Sequence, residues 1–154
     1  MRRMREVLER IERRQDQALR ELHPELRRRV RAVLDELGGR MAAWEGYRDA
    51  IGQAKARANG KSNADFGDSP HNYLPPLACD LVLNPERVPV RAHKDDPDLP
   101  DLWDEGTPEA IDTWIDLERA CIRHGLERVN VNGRRDLPHV QLPGWRKYIP
   151  KVLP

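Results

Sequence analysis

Apolar positions recur along the chain with two different periods, and the change of period marks out the elements. Met4, Val7, Leu8, Ile11, Ala18, Leu19 and Leu22 return at roughly helical spacing among arginines and glutamates. This predicts a helix over 4–21 that packs on the domain as an N-terminal extension. His23-Pro24 interrupts it. Pro24 suits the first turn of a second helix that carries Leu26, Val30, Val33, Leu34 and Leu37 inward and stops at Gly38-Gly39, with His23 structural in the junction. Residues 41–48 read as a short strand leading to a turn, after which Asp49 caps a helix running to Ala58 and ended by Asn59-Gly60. Further on, Thr107 and Pro108 open a helix whose buried stripe is expected to be Ile111, Trp114, Ile115, Leu117, Ala120, Cys121 and Ile122. Gly125 ends it, with His124 favourably placed against the helix dipole.

The strand-like segment at 77–83 alternates strictly, with Leu77, Cys79, Leu81 and Leu83 on one face and Ala78, Asp80 and Val82 on the other. Asp80 therefore sits in mid-strand among apolar neighbours. An unpartnered carboxylate there costs several kcal/mol or takes up a proton, so the pattern demands a partner. A metal ion is one answer. His71 lies in the loop just upstream, and a second short strand at 138–142 offers His139, with Gln141 on the face opposite Val140 and Leu142. Two histidines and one carboxylate make an open zinc site, because structural zinc is closed by four protein ligands whereas three leave a position for water.

The remaining segments lack periodicity. Residues 61–73 are loop-like, and 84–105 form a Pro- and Asp-rich stretch read as a long solvated loop bordering the site, without the pattern of a calcium-binding EF-hand. Residues 129–132 read as a strand, Asn132-Gly133 as a turn, and the tail 143–154 is expected to lie over the core or the edge of the groove.

Composition narrows the functional classes. The chain of 154 residues is the size of one domain, 38% hydrophobic and 34% charged. Its net charge of +1 gives no reason to expect nucleic-acid binding, although arginines crowd the first forty residues and acids the stretch 95–118. No apolar run approaches the roughly 20 residues that span a bilayer. The charged N-terminus lacks the apolar middle of a signal peptide, so synthesis in the cytoplasm is expected. Cys79 and Cys121 are too few for a disulfide framework and read as reduced, buried thiols. Without a long heptad pattern, a monomer is expected.

Ser69-x-His71, Ala78-x-Asp80 and Asp136-x-x-His139 together resemble the metal-site signature of the M15 peptidases, the D-alanyl-D-alanine and L-alanyl-D-glutamate peptidase family. Leu22-His23-Pro24-x-Leu26, Glu45-Gly46-Tyr47-Arg48 with Gln53, and Gly60-Lys61-Ser62 follow the order of the branch that holds phage endolysins and bacterial cell-wall endopeptidases. The resemblance covers roughly residues 21–142. One departure is that Leu74-Pro75-Pro76 stands where the family has a glycine, in a longer His71-to-Asp80 connection.

The resemblance implies an α+β fold, a small antiparallel sheet bearing the zinc site with helices packed around it. It implies zinc on His71, Asp80 and His139, lowering the pKa of a bound water towards about 7. Asp136 is then the general base, Arg48 the guanidinium that stabilises the developing oxyanion, and Ser69, Tyr73 and Gln53 orient substrate or the groups behind it. The expected function is hydrolysis of the peptidoglycan stem peptide between L-Ala and D-Glu by a phage or prophage endolysin released through a holin-type lesion. Two alternatives stand beside it: a D,D-carboxypeptidase or dipeptidase acting on D-Ala-D-Ala, and a catalytically inactive metal-binding scaffold.

Overall fold

The computed structural model describes residues 2–149, so the last part of the tail, 150–154, lies outside the described residues. The fold is α+β, with four helices and small antiparallel sheets, as expected. In order, the elements are α1 (Arg2–Glu21), α2 (Pro24–Glu36), β1 (Met41–Glu45), α3 (Ala50–Ala58), β2 (Ala78–Leu83), β3 (Ala92–His93), β4 (Asp96–Pro100), α4 (Pro108–His124), β5 (Asn130–Val131), β6 (Arg134–Arg135) and β7 (His139–Gln141). Among the described residues no helix is long and apolar enough to cross a membrane.

The central sheet has the order β1-β2-β7, so the strand carrying Asp80 is flanked on both sides. Its alternation is realised. Leu77, Cys79, Leu81 and Leu83 join a core with Leu26, Val30 and Val33 of α2 and Trp114, Leu117 and Cys121 of α4, while Val82 packs with Ala42, Ile11 and Leu102 on the other face. α1 lies across β1, and its Gln15 side-chain oxygen accepts the Ala43 N–H at 3.2 Å. The helix thereby covers a sheet edge that would otherwise present unpaired backbone.

The α1–α2 junction has the structural role expected of His23. Its Nδ1 accepts the Glu25 N–H at 3.2 Å as the N-cap of α2, and its own N–H donates to the Pro76 carbonyl at 3.0 Å. The longer connection before β2 is thus pinned from outside, while Leu77 N–H closes it onto Pro70 O at 2.9 Å. Gly125, left-handed at φ 70°, stops α4, and Asn132 and Gly133, at φ 53° and 76°, form the tight turn joining β5 to β6.

Two expectations are corrected. The stripe of α4 is rotated: Ile111, Ile115 and Ile122 are exposed, and the buried face is Ala110, Thr113, Trp114, Leu117, Ala120 and Cys121. Small Ala110 and Ala120 allow close approach, and Trp114 Nε1 donates to the Asp104 carbonyl at 2.8 Å, fixing the helix's rotation. The stretch 84–105 is not all loop, because β3 and β4 pair in it as a hairpin. Its strands carry Asp and Pro rather than alternating apolar residues. Arg3 of α1, ion-paired with Asp96 and Asp98 at 3.2 Å, and packing against α1 hold it in place.

Candidate metal centre

Strand register creates a row of three functional side chains. Asp80 is the cross-strand partner of His139 on β7 and of Glu45 on β1, the latter because an irregularity between Ala43 and Glu45 shifts β1 in its pairing. His71 comes from a single 3-10 turn, Pro70–Asn72, in front of the sheet. Ser69 caps that turn by accepting the His71 N–H at 3.3 Å, and Asn72 Oδ1 reciprocates on the Ser69 N–H at 3.2 Å. Asn72 Nδ2 ties the turn to the Arg48 carbonyl at 3.1 Å, while the Arg48 N–H donates to the His71 carbonyl at 2.8 Å.

The three predicted ligands converge. His71 Nε2 lies 3.1 Å from Asp80 Oδ1 and 3.1 Å from His139 Nδ1, which is 3.5 Å from the same carboxylate oxygen. The far nitrogens of both rings are committed. His71 Nδ1 faces the Gly46 carbonyl at 2.7 Å, which only accepts, so this nitrogen carries the proton. His139 Nε2 faces Gln141 Oε1 at 2.8 Å, and the amide's orientation is fixed because its Nε2 donates to Glu127 Oε2 at 2.9 Å. Hence His139 Nε2 is also a donor. In the neutral tautomers, two imidazole lone pairs and a carboxylate oxygen then point at one another with no proton between them, a donor set that fits a divalent cation such as zinc.

A proton is the competing occupant. Burial works against a charged His139, but the contact with Asp80 and its charge outweigh this and push the His139 pKa above its ordinary value. Burial likewise opposes ionisation of Asp80, yet the His71 charge and the His139 contact hold its carboxyl well below the usual range. The cysteines take no part. Burial pushes both thiols up, Cys121 to about 11, so neither offers a thiolate.

The other predicted site residues surround this trio. Arg48 donates from Nε to Glu45 Oε1 at 2.7 Å and from Nη2 to Asp80 Oδ2 at 3.3 Å, leaving Asp80 Oδ1 for the histidines. Gln53 is fully buried; its Oε1 accepts from Asn72 at 3.2 Å and from Arg48 Nη1 at 3.4 Å, so it stands behind the guanidinium. Tyr73 donates its hydroxyl to Gly67 O and packs on Trp145. Half-buried Asp136 precedes β7, its carbonyl accepting the His139 N–H at 3.2 Å. Burial first, then the charge of Asp80, raise its pKa.

The sequence placed Gln141 beside His139 but did not disclose its role or the groups behind it. Alternation puts Gln141 on the same strand face as His139, a signal for its role, but Glu127 reaches Gln141 across an isolated bridge that no local pattern announces. Arg128 was also missed. Its side chain is buried and donates from Nη1 to the carbonyls of Leu137 at 2.6 Å and His139 at 3.0 Å, clamping the segment that carries Asp136 and His139.

No protein-family model and no curated protein matches the chain. Among solved structures, the fold is similar to that of the Serratia marcescens L-Ala D-Glu endopeptidase ChiX, with a TM-score of 0.56 and 23% identity over 88% of this chain and 90% of that one.

Proposed function

We propose that the chain is a zinc-dependent peptidoglycan peptidase of the M15 type that hydrolyses the stem peptide between L-Ala and D-Glu. The observation that carries this reading is the trio His71, Asp80 and His139, whose ligand atoms lie 3.1–3.5 Å from one another and could hold a metal ion. The fold it shares with an L-Ala D-Glu endopeptidase supports the substrate assignment. In this reading the chain is a single peptidase domain with α1 as an N-terminal extension. It serves as a phage or prophage endolysin that reaches the wall through a holin-type lesion.

His71, Asp80 and His139 would hold the zinc, which when bound would supply a Lewis acid able to lower the pKa of water and to polarise a peptide carbonyl. The protein's own residues do the rest. Gly46 and Gln141 keep the imidazoles in the ligating tautomer. Asp136, its pKa raised by burial and Asp80, accepts the proton of the attacking water and returns it to the leaving amine. Arg48 has five N–H donors, of which its contacts with Glu45, Gln53 and Asp80 engage three. The remaining donors serve the oxygen that gains charge as the carbonyl carbon becomes tetrahedral. Ser69 holds the His71 turn, and Gln53 and Tyr73 brace the groups around it.

Zinc-dependent release of stem peptides from purified peptidoglycan, abolished by a chelator and restored by zinc, tests this function.

A further inference from the structure

Beside the metal centre, α1 and the end of β1 enclose a groove of about 200 Å³ lined by Arg14, Gln17, Trp44, Glu45, Gly46 and Tyr47 among others. One of its lining residues, Gly46, holds His71 Nδ1 through its carbonyl at 2.7 Å, on the side of the ring away from Asp80 and His139. Resting on the peptidase reading, we infer that this groove is a carboxylate-binding subsite for the peptide substrate, with Arg14 as its charged contact.

Three observations lead there. The Arg14 guanidinium lies over the Trp44 ring, 4.3 Å from its centroid, and the ring is held edge-on by Trp103 at 5.9 Å and 89°. A guanidinium on an aromatic face keeps its in-plane N–H donors for a ligand, and its planar fork matches a carboxylate. Second, Arg14 has no hydrogen bond or ion pair to a carboxylate among the described residues, although it is half-buried. Burial and then the nearby charge of Arg10 lower its pKa, and the charge of Glu45, which makes no direct contact with it, acts the other way. Third, of the groove's two acids Glu45 is ion-paired with Arg48 Nε at 2.7 Å, while Glu21 takes the neutral Gln17 amide at 3.1 Å and leaves Arg14 without a direct contact.

The substrate chemistry fits this charge. A glutamate next to the scissile bond has two carboxyl groups besides its amine, and only one is consumed by the onward peptide bond. The other remains an anion a short distance from the attacked carbonyl. Arg14 binds that anion, so the N-terminal helix supplies specificity as well as packing.

Binding of a stem peptide with the free glutamate carboxylate is compared by calorimetry with binding of its carboxamide analogue, on the zinc-loaded wild type and on Arg14→Gln and Arg14→Lys. The wild type is expected to prefer the carboxylate by about tenfold, the scale of one charge-assisted hydrogen bond. Arg14→Gln should bind both peptides alike, and Arg14→Lys should recover part of the preference. Equal binding by the wild type, or a preference that survives Arg14→Gln, overturns the inference. Turnover in the same samples is a separate readout: carboxylate-selective binding without cleavage contradicts the peptidase reading and keeps the subsite.

Discussion

His71 Nε2 and His139 Nδ1 face each other at 3.1 Å, and the opposite nitrogen of each ring is bound to an acceptor, the Gly46 carbonyl and the Gln141 side-chain oxygen. Two imidazoles held this way repel unless a cation lies between them. A metal cation and a proton would therefore compete for one place. Because contact with Asp80 raises the His139 pKa, apparent zinc affinity should fall as pH drops through that raised value, and zinc binding there should release a proton. Calorimetry in buffers of different ionisation enthalpy measures the release. Zinc at about 100 times its Kd should also add roughly 2.7 kcal/mol of stability, read by denaturant titration.

Gln141 acts through His139. Replacing it with Leu removes the acceptor for His139 Nε2–H and frees the ring to choose the wrong tautomer. Zinc affinity is expected to drop by about 10- to 100-fold, the usual effect of losing such a partner, measured by competition with a chromophoric chelator. Gln141→Glu retains an acceptor and should keep more of the affinity.

Asp136 should separate chemistry from metal binding. Asp136→Asn is expected to lower turnover by about 10²- to 10⁴-fold while zinc binding stays intact. A base must be ionised to work, so activity should fall on the acid side as pH drops through the Asp136 pKa. In the metal-free protein burial and then the charge of Asp80 raise that pKa above its ordinary value, and the charge of a bound metal would offset the share of Asp80. A rate profile whose acid limb is unchanged in shape and height in Asp136→Asn contradicts the assignment.

How far the sequence disclosed this site depends on the range of each interaction. Asp80 was legible because a two-residue period surrounds it with apolar neighbours, and the structural place of His23 in the junction and the turn at Asn132-Gly133 were legible because their chemistry is local. The grouping of His71 and His139 with Asp80 was read from their residue types and then from the ordered motifs, because the period by itself could not bring the two histidines together. What escaped depends on distant partners. Glu45 reaches Asp80 only through the shifted register of β1, and the β3–β4 hairpin needs Arg3, far away in α1. The rotation of α4 follows from Trp114 bonding to Asp104; its isoleucines alone suggest a different face.

Asp104 is the acid-sensitive joint of the frame. It is fully covered. Although burial opposes its charge, the N–H groups of Arg91, Gly106 and Thr107 and the Arg91 side chain hold its carboxyl at about 2. Its folded value lies below the ordinary 3.8, so its contribution is present in full above that value and is lost as pH falls towards about 2. Asp104→Asn should destabilise the fold by about 2 kcal/mol at neutral pH and flatten the loss of stability between pH about 4 and 2, measured by urea unfolding across that range.

The central claim is settled most directly by mass spectrometry of purified peptidoglycan digested by the zinc-loaded protein beside a chelated control. The account predicts free stem peptides that begin with glutamate, L-Ala left on the glycan, and loss of both products on chelation. Release of a terminal D-Ala alone would instead identify a carboxypeptidase, and the absence of any zinc-dependent product from several wall types would contradict the peptidase itself.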